Sequence, residues 1–211
     1  MEIHTFTLGS FGVSAYAVVC GREALIVDAP EGSEAIVDFC VGRGLAPRTL
    51  VNTHGHFDHI AGNALAKATW PDLVIAVGRG DEPMLADPVL NLSAIFGFSF
   101  TSPPADRLLA DGDRLQVGGV TEFEVLATPG HTPGGISLLS MSSAEGPEAV
   151  FTGDALMAGG IGRTDFPGAS EQRLIESIRR RLLALPPETV VYPGHGPPTT
   201  IAAEAAGNPF L

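Results

Sequence analysis

Short apolar stretches, each punctuated by glycine, proline or serine, recur along the chain and predict strands more often than helices. Three of them open the sequence, at Ile3–Leu8, Ala15–Cys20 and Ala24–Asp28. Ser33–Val41 has helical spacing, stopped by Gly42 and Gly44. Thr49–Thr53 reads as a short buried strand, and a helix is expected over His59–Thr69. In the second half the pattern predicts strands at Arg114–Val117, Val120–Ala127, Ile136–Met141, Ala149–Thr152 and Thr189–Tyr192. A helix over Glu171–Leu185 places Leu174, Ile178 and Leu182 on one face. Runs of strands with helices between them imply two sheets packed face to face under outer helices, an α/β/β/α sandwich.

Composition narrows the partners. The 211 residues include 24 acidic and 12 basic side chains, a formal charge of −12. Such a surface repels phosphate backbones, so no nucleic-acid partner is expected. No apolar run approaches the about 20 residues of a membrane span, and Met1-Glu2-Ile3-His4 has no basic leader region. Cys20 and Cys40 are isolated and read as small core residues. The expectation is one domain over residues 1–211, cytoplasmic, with no membrane association, as a monomer or a homodimer. The apolar segment 89–104 is either a wall over a site or packing and dimer surface.

Five of the six histidines change this picture. Three fall in Thr53-His54-Gly55-His56-Phe57-Asp58-His59, together with a carboxylate. His131 sits in the constrained turn Thr128-Pro129-Gly130-His131-Thr132-Pro133-Gly134-Gly135, and His195 in Pro193-Gly194-His195-Gly196. Asp154 ends the apolar run Ala149–Gly153. Each candidate follows a predicted strand, where ligands gather in α/β proteins. Imidazole and carboxylate suit zinc, iron and manganese, and seven such groups suffice for two ions. His54 and His56 can face one ion, and Asp58 and His59 a second. Taken alone, Asp58 also fits an ordinary helix N-cap.

These motifs, with Asp28, Gly162-Arg163-Thr164-Asp165-Phe166-Pro167 and the tail Asn208–Leu211, resemble a metallo-β-lactamase-fold hydrolase. Within that superfamily the chain is similar to the short glyoxalase II-like, or hydroxyacylglutathione hydrolase-like, branch. The resemblance implies a four-layer α/β/β/α sandwich of two mixed sheets. It implies His54, His56 and His131 on one divalent ion, and Asp58, His59 and His195 on another. Asp154 bridges them, and Asp28 buttresses the histidine loop. Zinc is the first expectation for both ions, with iron or manganese as alternatives.

The implied activity is cleavage of S-lactoylglutathione or a related hydroxyacyl thioester by a metal-bridging hydroxide, with Asp58 and Asp154 in catalytic positions. The alternative is a mononuclear iron persulfide dioxygenase of the same fold; a lactonase or other hydrolase of the fold follows. Long glyoxalase II enzymes grip glutathione with a basic C-terminal domain. Here 16 residues follow His195 and none is Lys or Arg. Arg163 is left as the substrate contact, unless it pairs with Asp165, which stands where those enzymes have a tyrosine.

Overall fold

The computed structural model describes residues 1–119, 121–141 and 149–211. β1 (Glu2–Leu8), β2 (Val13–Cys20) and β3 (Glu23–Val27) form an antiparallel meander. After α1 (Glu34–Gly42), β4 (Ala46–Asn52), β5 (Val74–Gly78) and β6 (Arg107–Leu109) extend the sheet in parallel. The second sheet has the order β14-β13-β10-β9-β8-β7. Its strands are β7 (Arg114–Val117), β8 (Thr121–Ala127), β9 (Ile136–Met141), β10 (Ala149–Gly153), β13 (Val190–Pro193) and β14 (Thr199–Thr200). A small antiparallel hairpin, β11 (Leu156–Met157) and β12 (Gly160–Ile161), follows β10. Val120, the expected first residue of β8, lies outside the described residues.

Side-chain alternation explains the layers. β2 is buried along its whole length, which requires cover on both faces. Tyr16, Val18 and Cys20 point between the sheets and meet Leu115, Phe123, Val125, Leu138 and Phe151. Ala15 and Val19 point outward and meet Ile36 and Cys40 of α1 and Ala66 of α3 (Asn63–Thr69). On the far side, Val150, Leu139 and Val191 pack under Leu174, Ile178 and Leu182, and under Ile201 of α5 (Ile201–Gly207). The four-layer sandwich expected from the sequence is the fold observed. Both cysteines are buried thiols. Among the described residues no helix is long and apolar enough to cross a membrane.

Three details differ from the sequence pattern. The helix expected over His59–Thr69 is two pieces, α2 (Phe57–Ile60) and α3. The break follows from Gly62, whose N–H donates to Ala29 O at 2.6 Å and so fastens the chain to the end of β3. The helix expected over Glu171–Leu185 is α4 (Glu171–Ser177), continued by a wider turn over Ile178–Leu182. The strands β5 and β6, the short β11, β12 and β14, and α5 are absent from the sequence pattern, although Leu73–Val77 is apolar and largely β-branched.

Gly62 admits no side chain: a Cβ there would lie 2.5 Å from Ser33 Oγ and 2.8 Å from Pro30 O. Gly62→Ala is expected to destabilise the protein by about 1–3 kcal/mol, because backbone on both sides must shift. Thermal unfolding checks this, and an unchanged Tm would show that the α2–α3 break is soft.

Candidate metal centre

Each candidate ligand leaves the carboxyl end of a strand. His54 follows β4, His131 follows β8, Asp154 follows β10, and His195 follows β13. The parallel pair β10 and β13 puts Asp154 beside His195, and Gly194 lets them approach. A Cβ on Gly194 would collide with Asp154 Oδ1. The two sheets are stitched at this edge, where Ser14 N–H donates to Gly194 O at 2.7 Å and Tyr16 Oη donates to Pro193 O at 2.5 Å.

The side chains converge in three overlapping groups: His54, His56 and His131; His54, His59 and Asp154; Asp58, His59 and His195. Within each, the ligand atoms lie within 4.8 Å of one another. His131 Nε2 lies 3.0 Å from His56 Nδ1, and His59 Nε2 lies 3.3 Å from His195 Nε2. Asp154 Oδ2 stands 3.6 Å from both His131 Nε2 and His195 Nε2, midway between the outer groups. Asp58 is not an N-cap; His56 holds that position on α2, and Asp58 lies in the first turn.

The arrangement fits divalent transition metals. Imidazole and carboxylate are the donors such ions take. His54 Nε2 and Asp154 Oδ1 are buried with no hydrogen-bond partner among the described residues. Unpaired buried polar atoms of this kind are costly, and a cation between them satisfies both.

The ligands are held from behind. Asp28, at the end of β3, is a non-glycine residue with φ of 58°. Its carboxylate accepts from Thr53 N–H and Thr53 Oγ1, both at 2.8 Å, and from His59 Nδ1 at 2.9 Å. That last bond turns His59 Nε2 toward the cleft, the usual way a carboxylate fixes a ligand tautomer. His131 Nδ1–H donates to the backbone carbonyl of Arg163 at 2.7 Å, which fixes its Nε2 likewise.

A second buried carboxylate went unread in the sequence. Asp81, fully buried, accepts from Gly55 N–H at 3.1 Å, Thr132 Oγ1 at 2.6 Å and Gly134 N–H at 2.6 Å. It ties the His54–His59 loop of one sheet to the His131 turn of the other. Burial lifts its carboxyl above the ordinary range even against these donors. Its signal was a carboxylate just beyond an apolar strand, legible only once β5 is recognised.

Electrostatics divides the histidines. Burial, with neighbouring imidazoles, pushes His54 and His56 well below the ordinary range, so both are neutral at pH 7. Burial also opposes the charge on His59, but Asp28, Asp154 and Asp58 outweigh it and lift His59 to about 10. Asp58 is pushed up by burial, yet His59, His195 and His56 hold it at about 2.

Around these groups lies a cleft of about 340 Å³ lined by Phe11, Phe57, Leu92, Phe96, Met157 and Phe166 among others. Leu92 and Phe96 belong to segment 89–104, which here forms an apolar wall. Arg163 lines the rim, where its guanidinium pairs with Asp165 at 2.8 and 3.0 Å and stacks 4.4 Å over Phe166.

The family described as the metallo-beta-lactamase superfamily matches residues 8–195. A solved structure of the B3 metallo-beta-lactamase BLEG-1 is 35% identical, with a TM-score of 0.92 over 100% of this chain and 99% of that one. The structure of TTHA1623 in a di-iron-bound form is 36% identical, with a TM-score of 0.85 over 99% of this chain and 100% of that one. The hydroxyacylglutathione hydrolase GloC of Haemophilus influenzae is 35% identical over 90% of this chain and 88% of that protein.

Asp81→Asn is expected to leave one buried donor facing an amide N–H. The cost is about 1–3 kcal/mol of stability and a roughly 10- to 100-fold loss of metal affinity. Unfolding curves and chelator competition measure the two; no change in either would make Asp81 a bystander. The raised His59 imposes a pH dependence of definite sign. In chelator-stripped protein its stabilising contribution is full below its ordinary value of 6.5 and is lost as pH rises through about 10. A metal must displace that proton, so stabilisation by added zinc should instead grow from pH 6 to 9. Tm against pH for stripped and zinc-loaded protein should therefore slope in opposite directions; parallel profiles would remove His59 from the ligand set.

Proposed function

The chain belongs to the metallo-β-lactamase superfamily, and on that footing we propose that it is a binuclear, metal-dependent thioester hydrolase. The observation that carries this reading is the position of Asp154. Its carboxylate is equidistant from His131 of one ligand group and His195 of the other, which suits a residue shared by two ions. The alternative, a persulfide dioxygenase with one iron on His54, His131 and Asp154, would use three of the seven groups gathered at this edge. The likeness to a hydroxyacylglutathione hydrolase supports a thioester as the substrate class. The di-iron form of another relative supports a site that takes two ions and is not tied to zinc.

Two ions in such a site supply Lewis acidity and lower the pKa of water from 15.7 toward about 7. The residues do the rest. His54, His56 and His131 form one ligand set, and Asp58, His59 and His195 the other. Asp58 and Asp154 present carboxylates to the cleft, where they orient the attacking water. The C–O bond forms from water to the acyl carbon, the C–S bond breaks, and the thiolate leaves with a proton from that water. The aromatic walls exclude bulk water, which strengthens every charge interaction inside. Among the described residues lining the cleft, Arg163 is the one lysine or arginine; Asp165 already pairs with its guanidinium, and we assign it to an anionic thiol carrier that competes with Asp165 for it. The whole chain acts as one catalytic domain with a small-molecule partner.

Elemental analysis after reconstitution should approach two transition-metal ions per chain, and lactoylglutathione should release thiol in proportion to occupancy. Arg163→Ala should raise KM more than it lowers kcat, the mark of lost uniform binding. One iron per chain, with oxygen uptake on a persulfide and no thiol release, would overturn the hydrolase.

A further inference from the structure

Beside the metal cleft lies a second cavity that none of the roles above uses. Its volume is about 340 Å³, at the lower end for small-molecule sites. Leu8, Phe11, Val13, Phe57, Phe98 and Phe100 give it an apolar lining. Phe11, Phe57 and Asp58 line both cavities, so the two share one wall next to the Asp58, His59 and His195 group. That wall is aromatic. Phe11 and Phe57 pack edge to face at 5.2 Å, and Phe96 and Phe98 lie 5.3 and 5.1 Å from Phe57. Phe11 and Phe98 remain 42% and 46% exposed around it, so apolar surface faces water there.

Charge gives the site a direction. No described residue lining the second cavity is basic; its ionisable groups are Glu31, which accepts from Ser10, and Asp58. An anionic occupant is disfavoured and a neutral apolar one is favoured. Arg163 stands across the metal groups, beside Phe166 and His131. A polar, anionic thiol carrier belongs at that end, and the group on the other side of the thioester then points to the second cavity.

We propose that this cavity is an acyl-chain subsite, and that the substrate carries a medium-length apolar acyl group rather than a two- or three-carbon hydroxyacyl group. The inference rests on the thioester reading and specifies its substrate. No covalent step is added: the same C–S bond is hydrolysed, with the chain buried while it breaks. Each methylene entering the cavity contributes transfer free energy worth about fourfold in kcat/KM. The gain ends when the chain fills the space.

The test uses the metal-loaded protein with acetyl-, butanoyl-, hexanoyl- and octanoyl-glutathione, together with calorimetric binding of octanamide and butanamide, which need no turnover. Two variants narrow the cavity: Ala61→Phe from a half-buried lining position, and Ser10→Trp from an exposed one. The subsite predicts kcat/KM rising more than tenfold from acetyl to hexanoyl, octanamide binding more tightly than butanamide, and loss of both trends in Ser10→Trp. Thiol release that is flat with chain length, with no octanamide binding, overturns the subsite and leaves the hydrolase intact. Octanamide binding that Ser10→Trp abolishes, with every thioester inert, keeps the subsite and overturns the thioesterase. Chain-length trends that survive in both variants place the acyl group elsewhere and overturn the subsite.

Discussion

The metal edge depends on carboxylates buried beneath it, and first on Asp28. Its backbone adopts a left-handed conformation that costs a non-glycine residue roughly 1–3 kcal/mol. Three charge-assisted hydrogen bonds, to Thr53 N–H, Thr53 Oγ1 and His59 Nδ1, offset that cost. One side chain therefore sets the path of the histidine loop and the orientation of a ligand. Asp81 acts in the same way from the far side, joining that loop to the His131 turn. Without these anchors, five imidazoles and two carboxylates facing one another would spread apart toward water.

The packing around the edge is conventional, and this lets the edge be unusual. Alternating side chains on β2 and β3 feed the inter-sheet core on one face and the α1–α3 layer on the other. Strands covered on both faces are rigid, so their carboxyl ends are fixed points. The ligands need only short turns from those points. Glycines at the closest approaches remove the side chains that would hold the turns apart.

Much of this was legible because the information was local. The His54–His59 run names four candidate ligands in one stretch of sequence, and the turns around His131 and His195 are stiffened by proline and glycine. The four-layer order followed from strands that read as continuous apolar runs. What stayed hidden was non-local. Asp81 acts on backbone N–H groups from two distant segments, and such partners leave no mark in composition. Arg163 was read for its guanidinium, whereas its carbonyl orients His131. The break at Gly62 arises from contact with Ala29 and Ser33, which helical spacing alone does not encode.

The candidate ligand set is also divided between the two sheets. His54, His56, Asp58 and His59 leave the first, and His131, Asp154 and His195 leave the second. Neither half of the polypeptide owns a complete coordination sphere, and each of the two outer sets draws on both. An ion seated there is a cross-link between halves far apart along the chain, closing a long loop whose ends the backbone alone brings together slowly. Under the proposed assignment, the coordination of either ion is complete only after the two sheets have docked.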